Sequence, residues 1–206
     1  METEHFDKQI RYLKNSFEGN RKPEKTLQDE ELPDVQMFQV KIGDENIAFT
    51  DGIYLDKQLK LRLPKSFKEM DKEEAAMRYP FERRPPIILS EETGTINFTI
   101  NHTQNEVGGD MGSITQYMEA LLKKMNPSAR IFSTGTTTVP DKEIGFIEFR
   151  TDAYDDKIYN LVYFAILDGR MLICTFNCLK EQMDDWQPVA KAIMLATGIK
   201  ETKEKG

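Results

Sequence analysis

The sequence predicts an α+β domain in which an antiparallel β-sheet is flanked by helices. Strand-like runs outnumber helical ones, and short turns join them, which is typical of hairpins and not of parallel crossovers. The clearest turn is Asp168-Gly169, which separates the apolar runs Ile158–Leu167 and Arg170–Cys178. Two amphipathic segments, 113–125 and 185–197, have the length and apolar spacing of helices that cover a sheet.

Composition limits the classes of partner. The chain has 206 residues, of which 39% are apolar and 31% charged, with a formal net charge of −7. An acidic chain repels nucleic acid and anionic lipid, so neither is an expected partner. No apolar run approaches the ~18 residues of a membrane span, and residues 1–5 lack the apolar stretch of a signal peptide. We therefore expect a cytoplasmic protein.

Residues 1–34 differ in composition from the rest and are interpreted as a helical arm followed by a linker. Residues 19–34 are rich in charge and contain two prolines. The compact domain is predicted over 35–199, and 200–206 form a charged tail. Apolar residues spaced four, three and four apart predict a narrow stripe on the arm helix: Phe6, Ile10, Leu13 and Phe17.

The first half of the compact domain reads as hairpins and one short helix. Gly43-Asp44-Glu45 has turn chemistry and predicts that the strands on either side of it pair. Acidic residues in the first turn favour the helix, and the proline-rich passage after it is extended. The predicted elements are strands 35–42, 46–50 and 58–63, helix 71–77, an extended run 87–90, and strand 95–100.

The helix over 113–125 has the strongest periodic pattern in the chain. Ser113 and Gln116 match a capping box at its start, and Asn126-Pro127 ends it. The glycine-rich segment before it, 108–113, resembles a phosphate loop, but it lacks the required lysine and carries acids that repel phosphate. A flexible entry to a capped helix is the alternative interpretation.

The C-terminal third is expected to form the centre of the sheet. Strands are predicted over 131–139 and 144–151. The Asp168-Gly169 turn fixes a register that pairs Leu167 with Arg170, Tyr163 with Cys174 and Leu161 with Phe176. Both faces of this hairpin are apolar, so helices should cover both. The last helix has Pro188 in its first turn, Gly198 at its C′ position and one apolar stripe: Trp186, Val189, Ala190, Ile193 and Thr197.

Cys174 and Cys178 lie four residues apart in a predicted strand. Their Cα atoms are then roughly 13 Å apart, too far for a disulfide, so we expect free thiols. A metal pair is the alternative, but it needs further Cys or His ligands, and His5 and His102 are far away in sequence.

Several short strings, together with the long hairpin, carry a resemblance to a known family: Leu61–Phe67, Arg78–Pro80, Arg84–Pro86, Gly94–Phe98, Gly145–Phe149 and Trp186. Through them the chain resembles the Mog-type, PsbP-like fold family, and especially its bacterial DcrB-like branch, over roughly 35–199. The resemblance implies an antiparallel sheet between helices and a role in binding or assembly, as in Ran-release proteins, photosystem accessory subunits and chaperones of secreted effectors. It brings no shared catalytic motif.

Candidate chemistry is sparse, and no catalytic residue, cofactor or metal site is predicted. His102 is a possible general base, although no nucleophile lies near it in sequence; an exposed polar residue is the alternative. Asp152, Asp155 and Asp156 offer clustered carboxylates to a hard cation, but aspartate is also common in turns, where these three are predicted to lie.

Two surfaces are predicted to bind a protein partner. The first is the arm stripe, which must bury its apolar side chains on its own sheet, a partner or a second copy. The second groups arginines around a tyrosine, residue types favoured at interfaces, and would grip an acidic segment. Its residues are Arg78, Tyr79, Arg83 and Arg84, and the alternative is that local acids pair with them: Glu73, Glu74 and Glu82.

These patterns lead to three hypotheses. The first is a non-enzymatic protein-binding module, such as an assembly factor or a chaperone-like adaptor. The second is a small-molecule binder or enzyme with a site assembled from distant residues such as His102, Arg84 and Asp152. The third is a protein that self-associates through the stripe in residues 6–17.

Overall fold

The structure is a computed structural model, and it describes residues 30–80, 84–152 and 156–202. These residues form two antiparallel sheets and three α-helices. The helices are α1 (Lys72–Arg78), α2 (Met111–Met125) and α3 (Met183–Leu195). The strands are β1 (Gln39–Ile42), β2 (Glu45–Tyr54), β3 (Leu59–Pro64), β4 (Lys68–Glu69), β5 (Ile87–Ser90), β6 (Ile96–Glu106), β7 (Arg130–Val139), β8 (Lys142–Asp152), β9 (Lys157–Leu167), β10 (Arg170–Leu179) and β11 (Gly198–Ile199).

The larger sheet has seven strands in the order β4-β5-β6-β10-β9-β8-β7. The smaller sheet has the order β1-β2-β3-β11. Every neighbouring pair in both sheets is antiparallel. The predicted α+β class with an antiparallel sheet is confirmed.

The β9–β10 hairpin lies at the centre of the larger sheet, as predicted. Leu167 pairs with Arg170, and the two further predicted pairs are also present. Asp168 has φ 48° and Gly169 has φ 72°. A two-residue turn with positive φ at both positions matches the twist of the strands it joins, which explains why this short signal fixes the whole register.

One face of the larger sheet, here called face A, carries the main apolar core. Strand side chains alternate between faces, so Tyr159, Leu161 and Tyr163 of β9 all point to this side. The helix α3 packs here and also contacts strands of the smaller sheet. Its Trp186 stacks on Phe176 of β10, with ring centroids 5.9 Å apart.

The opposite side, face B, carries a second and separate apolar cluster. Ile114 of α2 is fully buried against Ile147, Phe149 and Phe164. The short helix α1 forms a third cluster further along, where Ala75 packs with Ile88 of β5. The two predicted long helices therefore cover opposite faces of the sheet, and α1 adds a smaller cover at one end of face B.

Both long helices begin two residues earlier than predicted; α2 ends at Met125 as predicted, whereas α3 ends at Leu195 and not at 197. The capping box at Ser113 is wrong: α2 begins at Met111, and the carboxylate of Asp110 accepts the backbone N–H of Ser113 at 2.9 Å. A carboxylate placed directly before the helix satisfies the free N–H groups. Gly198 does not occupy a C′ position, because it lies in β11 and pairs with Lys60 of β3.

The first strand is shorter than predicted, and β6 is longer. Residues 35–38 cross beside β3 and are held there by Arg62. Its Nε donates to the carbonyl oxygen of Val35 at 2.8 Å, and its Nη2 donates to those of Gln36 and Met37 at 3.2 Å and 2.9 Å. These carbonyl groups accept hydrogen bonds from a side chain and not from the backbone of a neighbouring strand. For this reason β1 begins only at Gln39.

No helix in the part of the chain that the structure describes is long and apolar enough to cross a membrane.

Candidate functional site

Tyr79 is fixed on face B of the larger sheet. It follows the last residue of α1, and its half-buried ring packs with Met70, Ala75 and Ile88. Burial raises the pKa of its hydroxyl, while a hydrogen bond with the side chain of Asn177 lowers it. Tyr79, a predicted partner-binding residue, therefore contacts Asn177 of β10, which lies almost a hundred positions later in the chain.

The arginines near Tyr79 are partly occupied by local groups. Arg78 Nε pairs with Glu74 Oε1 at 3.0 Å, one of the acids proposed as an alternative partner. Its guanidinium also covers Gly94, where a side chain would clash and where φ is 75°. Arg84 is exposed, with Nη1 3.5 Å from the carbonyl oxygen of Tyr79. Partner binding by Arg78, Tyr79 and Arg84 stays a prediction.

Five other predicted partner-binding residues lie outside the described residues. They are Arg83 and the four residues of the arm stripe: Phe6, Ile10, Leu13 and Phe17.

A row of uncharged polar side chains crosses face B. Ser90 of β5 pairs with Asn97 of β6, Asn97 with Asn177 of β10, and Asn177 with Asn160 of β9. Paired residues of an antiparallel sheet share a face, so the four side chains stand side by side across four strands. We call these four residues the polar row.

Asn97 is the most buried amide of the row, with 6% of its surface exposed. Its Nδ2 donates to the carbonyl oxygen of Gly94 and to Asn177 Oδ1, both at 3.1 Å. Because both amide hydrogens meet acceptors, the orientation of the amide is fixed. Its Oδ1 is buried and has no hydrogen-bond partner among the described residues.

The polar row lies between the two helical covers of face B. Asn160 pairs with Phe149, which belongs to the α2 cluster, and Ser90 lies two residues from Ile88 of the α1 cluster. A second polar pair, Thr99 and Thr175, lies on the same face, two residues along the strands from Asn97 and Asn177. The β9 and β10 side of this strip is half-exposed, whereas Asn97 and Ser90 are buried.

Face A contains a charged cluster around Glu148 of β8, which is 1% exposed. Its carboxylate accepts hydrogen bonds from the Tyr159 hydroxyl at 3.0 Å and from Gln187 Nε2, and it lies 3.4 Å from Lys191 Nζ. Lys191 is 5% exposed and also meets Glu30 at 2.8 Å. Burial and the Glu148 charge raise the pKa of Tyr159 far above its ordinary value, so it stays a donor.

The buried charges of this cluster are internally paired. Lys191 lies between the carboxylates of Glu148 and Glu30, and Glu148 accepts two further hydrogen bonds, which is what a buried ion pair requires. The cluster therefore has the character of a structural network that ties β8, β9, α3 and Glu30 together.

The strand β7 is the long free edge of the larger sheet. Within the described residues it is the last of the seven strands, and no strand pairs with its outer side. It has ten residues, whereas β4 at the other edge has two. Phe132 lies where the register with β8 shifts, is 38% exposed, and has the Arg130 guanidinium 6.0 Å from its ring centroid.

The distant residues proposed as an enzyme site do not come together. His102 Nε2 lies 3.0 Å from the carbonyl oxygen of Leu167, at one end of β9. Asp152 pairs with Lys157, at the other end of β9. Ten residues of strand separate these ends by about 33 Å. One site cannot hold both residues, so this version of the enzyme hypothesis is wrong.

The two loops that were considered as ligand sites and disfavoured, 108–113 and 152–156, also have local explanations. Asp110 occupies the start of α2, where a phosphate would have to bind, and it accepts the Ser113 hydroxyl at 2.7 Å. Asp156 accepts the backbone N–H of Lys157 at 2.7 Å, as an aspartate in a turn does. Asp155 lies outside the described residues.

The cysteines are buried free thiols on face A, as expected from their spacing. Burial raises the pKa of both Cys174 and Cys178 to about 12. A thiol needs its thiolate form to act as a nucleophile, so neither residue is suited to catalysis near neutral pH.

Solved structures similar to this chain include the solution structure of cyanobacterial PsbP (CyanoP) from Synechocystis sp. PCC 6803. Its TM-score is 0.56 at 10% identity, covering 76% of this chain and 95% of that one. The chain has a PsbP-like fold. A second similar structure is the crystal structure of LpqN, involved in cell envelope biogenesis of Mycobacterium tuberculosis. Its TM-score is 0.52 at 13% identity, and the match covers 87% of this chain and 99% of LpqN. The likeness concerns the fold, and the DcrB-like branch stays a prediction.

No protein-family model and no curated protein matches the sequence.

The sequence reasoning missed both the polar row and the charged cluster. The predicted pairing of Leu161 with Phe176 also pairs the next two residues, Asn160 and Asn177. The Asp168-Gly169 turn therefore predicts half of the polar row. Asn97 joins them only through pairing of β6 with β10, and Lys191 meets Glu148 only through packing of α3. Neither contact has a local signal.

Proposed function

We propose that this chain is a non-enzymatic protein-binding module that captures an extended segment of another protein along β7. The observation that carries the proposal is the ten-residue free edge of the larger sheet. A free edge presents unpaired backbone N–H and C=O groups, and proteins usually shorten or cover such edges. Addition of a strand to an exposed edge is a common mode of peptide recognition.

The charges around β7 favour an acidic segment. Arg130 pairs directly with Arg150 of β8, an arrangement of like charges that is unfavourable across a sheet. Neither arginine forms an ion pair within the described parts of the chain. A carboxylate of the partner would relieve this repulsion, and an apolar side chain beside it would cover Phe132. The net charge of −7 disfavours a second copy as the partner.

An accessory role in building a larger assembly suits such a surface. LpqN, which shares the fold, is described as involved in cell envelope biogenesis. A module that holds an extended segment of an unassembled partner would serve as an assembly factor or a chaperone-like adaptor, the role that the family resemblance implies.

Selection of random displayed peptides against the wild-type chain tests the proposal. We expect selected peptides that combine acidic and apolar residues, and backbone amide NMR shifts that map to β7. The variant Arg130→Glu should weaken binding by about tenfold or more, which corresponds to ~1.4 kcal/mol. The matched control is Lys41→Glu, which makes the same charge change on β1 and should leave binding unchanged.

Two results would overturn the proposal. One is a failure to select peptides whose shifts map to β7. The other is an equal loss of binding in Arg130→Glu and Lys41→Glu, since that would reflect overall charge and not the edge strand. Thermal unfolding of each variant shows whether the fold is retained.

A further inference from the structure

The free edge of β7 presents the backbone groups of alternate residues only. Its hairpin with β8 is closed by the pair Val139–Lys142 across the two-residue turn Pro140-Asp141. The closing pair of such a turn exchanges both of its hydrogen bonds, and every second pair along an antiparallel ladder does the same. The residues between these pairs point both their N–H and their C=O away from the partner strand. On β7 these outward residues are Thr134, Thr136 and Thr138.

Two features limit the usable edge to residues 134–138. Residue 140 is the next position in the outward series, and it is a proline without an N–H to donate. At the other end the register with β8 shifts between Ile131 and Ser133, which interrupts the alternation. An added strand therefore finds outward N–H and C=O groups on the three threonines, which suits a segment of five residues.

The side chains along this edge select the type of segment. Thr136 pairs with Gly145, against which α2 packs on face B, so the outward threonines stand on face B. A row of threonines favours β-branched side chains opposite it on an added strand. Gly135 pairs with Phe146 on face A and offers no side chain there. A large side chain opposite a strand glycine covers the backbone that the glycine leaves bare.

The orientation of the added strand follows from the sheet and from the basic end of β7. Every pair in the larger sheet is antiparallel, and antiparallel pairing is the more stable per residue. In that orientation, partner residues that follow the five-residue strand lie towards Arg130, and those that precede it lie towards Pro140. Acidic residues of the partner should therefore follow the strand.

We propose that β7 binds its partner as an antiparallel strand of five residues that forms hydrogen bonds with the backbone of Thr134, Thr136 and Thr138. The strand carries β-branched residues opposite the three threonines, a large apolar residue opposite Gly135, and acidic residues after it. Proline is excluded opposite the threonines, because an N–H is needed at each of those positions. This inference rests on the proposed capture of a segment along β7, and it adds the register, orientation and residue types of that segment.

Amide hydrogen exchange of the full chain, followed by NMR, tests the register. The probe is the designed peptide Thr-Ile-Thr-Phe-Val-Gly-Glu-Asp, blocked at both ends, and the comparison is the same peptide in reverse order. Without peptide, the outward amides of Thr136 and Thr138 should exchange about tenfold faster than that of Thr137, which bonds to β8. Saturating peptide should slow Thr136 and Thr138 about tenfold and leave Thr137 unchanged. The reversed peptide should bind about tenfold more weakly.

Proline variants test the same register by substitution. Thr136→Pro removes an outward N–H, which an edge strand tolerates, so the variant should fold and lose about tenfold in peptide affinity. Thr137→Pro removes an N–H bonded to β8 and should lower the Tm by more than Thr136→Pro does. The matched control is Lys41→Pro, which should leave peptide binding unchanged. Lys41 is exposed on the edge strand β1, one residue before the closing pair Ile42–Glu45, and also points its N–H outward.

The register is overturned if Thr136 and Thr137 exchange alike, or if Thr136→Pro destabilises the protein as much as Thr137→Pro. It is also overturned if Thr136→Pro keeps the wild-type affinity for the peptide. Equal binding of the reversed peptide overturns the orientation. These failures differ from a failure of the capture itself: displayed peptides that map to β7 without the alternating exchange pattern refute the register alone, whereas a failure to select any such peptide refutes capture along β7.

Discussion

The two faces of the larger sheet are built from the same strands, yet they handle polar groups in opposite ways. On face A two charged side chains are enclosed in the core: Glu148 and Lys191 pair with each other and gain further hydrogen bonds. On face B the polar side chains are neutral and only partly covered, and Asn97 keeps an unfilled acceptor. The enclosed charges of face A are therefore paired, whereas Asn97 on face B keeps an unsatisfied acceptor.

The difference follows from what packs on each face. The helix α3 and the smaller sheet cover the core of face A, so a charge enclosed there must be neutralised inside the protein. On face B, α2 and α1 form separate apolar clusters at the two ends of the strip. The polar row occupies the gap between them. The polar groups in the closed layer are enclosed, and those in the gap between the two covers are partly exposed on β9 and β10.

The largest expected effect is at Glu148. We expect Glu148→Ala to lower the free energy of unfolding by about 3 kcal/mol, because it removes the buried partner of Lys191 and the acceptor of Tyr159. Urea denaturation measures this. Glu143→Ala, an exposed position on the same strand, should change stability by less than about 0.5 kcal/mol. Similar losses in both variants would show that the cluster is not structural.

A smaller loss of stability is expected from a substitution at Gly145, where α2 packs closely on face B. At Gly145 an added Cβ would collide with the side chains of Thr115 and Phe164. Gly145→Ala should therefore cost about 1–3 kcal/mol by overpacking. Gly108→Ala is the control, since nothing lies within 4 Å of its added Cβ. If thermal unfolding shows both variants equally stable, α2 does not pack as closely as described.

The polar row should contribute less to stability than either of these contacts. Asn177→Ala removes the acceptor of one Asn97 hydrogen bond and the partner of Tyr79, and it should cost about 1 kcal/mol. Asn105→Ala should be nearly neutral. A loss of 3 kcal/mol or more in Asn177→Ala, measured by urea denaturation, would remove the contrast between the two faces.

The smallest effect is a pH dependence at the turn beside Asn97. Burial raises the pKa of Glu91, but hydrogen bonds from Thr93, Thr95 and Ile96 outweigh it and leave the pKa below the ordinary 4.5. The folded state therefore holds the charged form more tightly than the unfolded state does. This stabilisation is present above pH 4.5 and is lost as the pH falls through the folded-state pKa.

Stability curves of wild type and Glu91→Gln should consequently converge in acid. Glu92→Gln, an exposed neighbour, controls for the loss of a surface charge. Wild-type and Glu91→Gln curves that stay parallel from pH 6 down to pH 2 would contradict the prediction.

Local signals explain which parts of the fold were predictable. The register of β9 with β10 was confirmed residue by residue because a two-residue turn fixes it and alternation then assigns each side chain to a face. The helix starts were less accurate, since Asp110 and Ser113 are both good caps and lie three residues apart. The start of β1 was wrong because Arg62, 25 to 27 residues away, holds the preceding carbonyl groups.

The candidate site depended on contacts between residues far apart in the chain. Asn97 and Asn177 are separated by 80 positions, and Lys191 and Glu30 by 161. No periodicity or turn links such residues, because their contact arises from strand order and helix docking. The sequence alone determined the hairpins, the apolar faces and the α+β class, since these depend on neighbouring residues. Only tertiary packing decided which polar groups are enclosed as paired charges and which lie as neutral side chains in the gap between two helices, because both depend on contacts between distant residues.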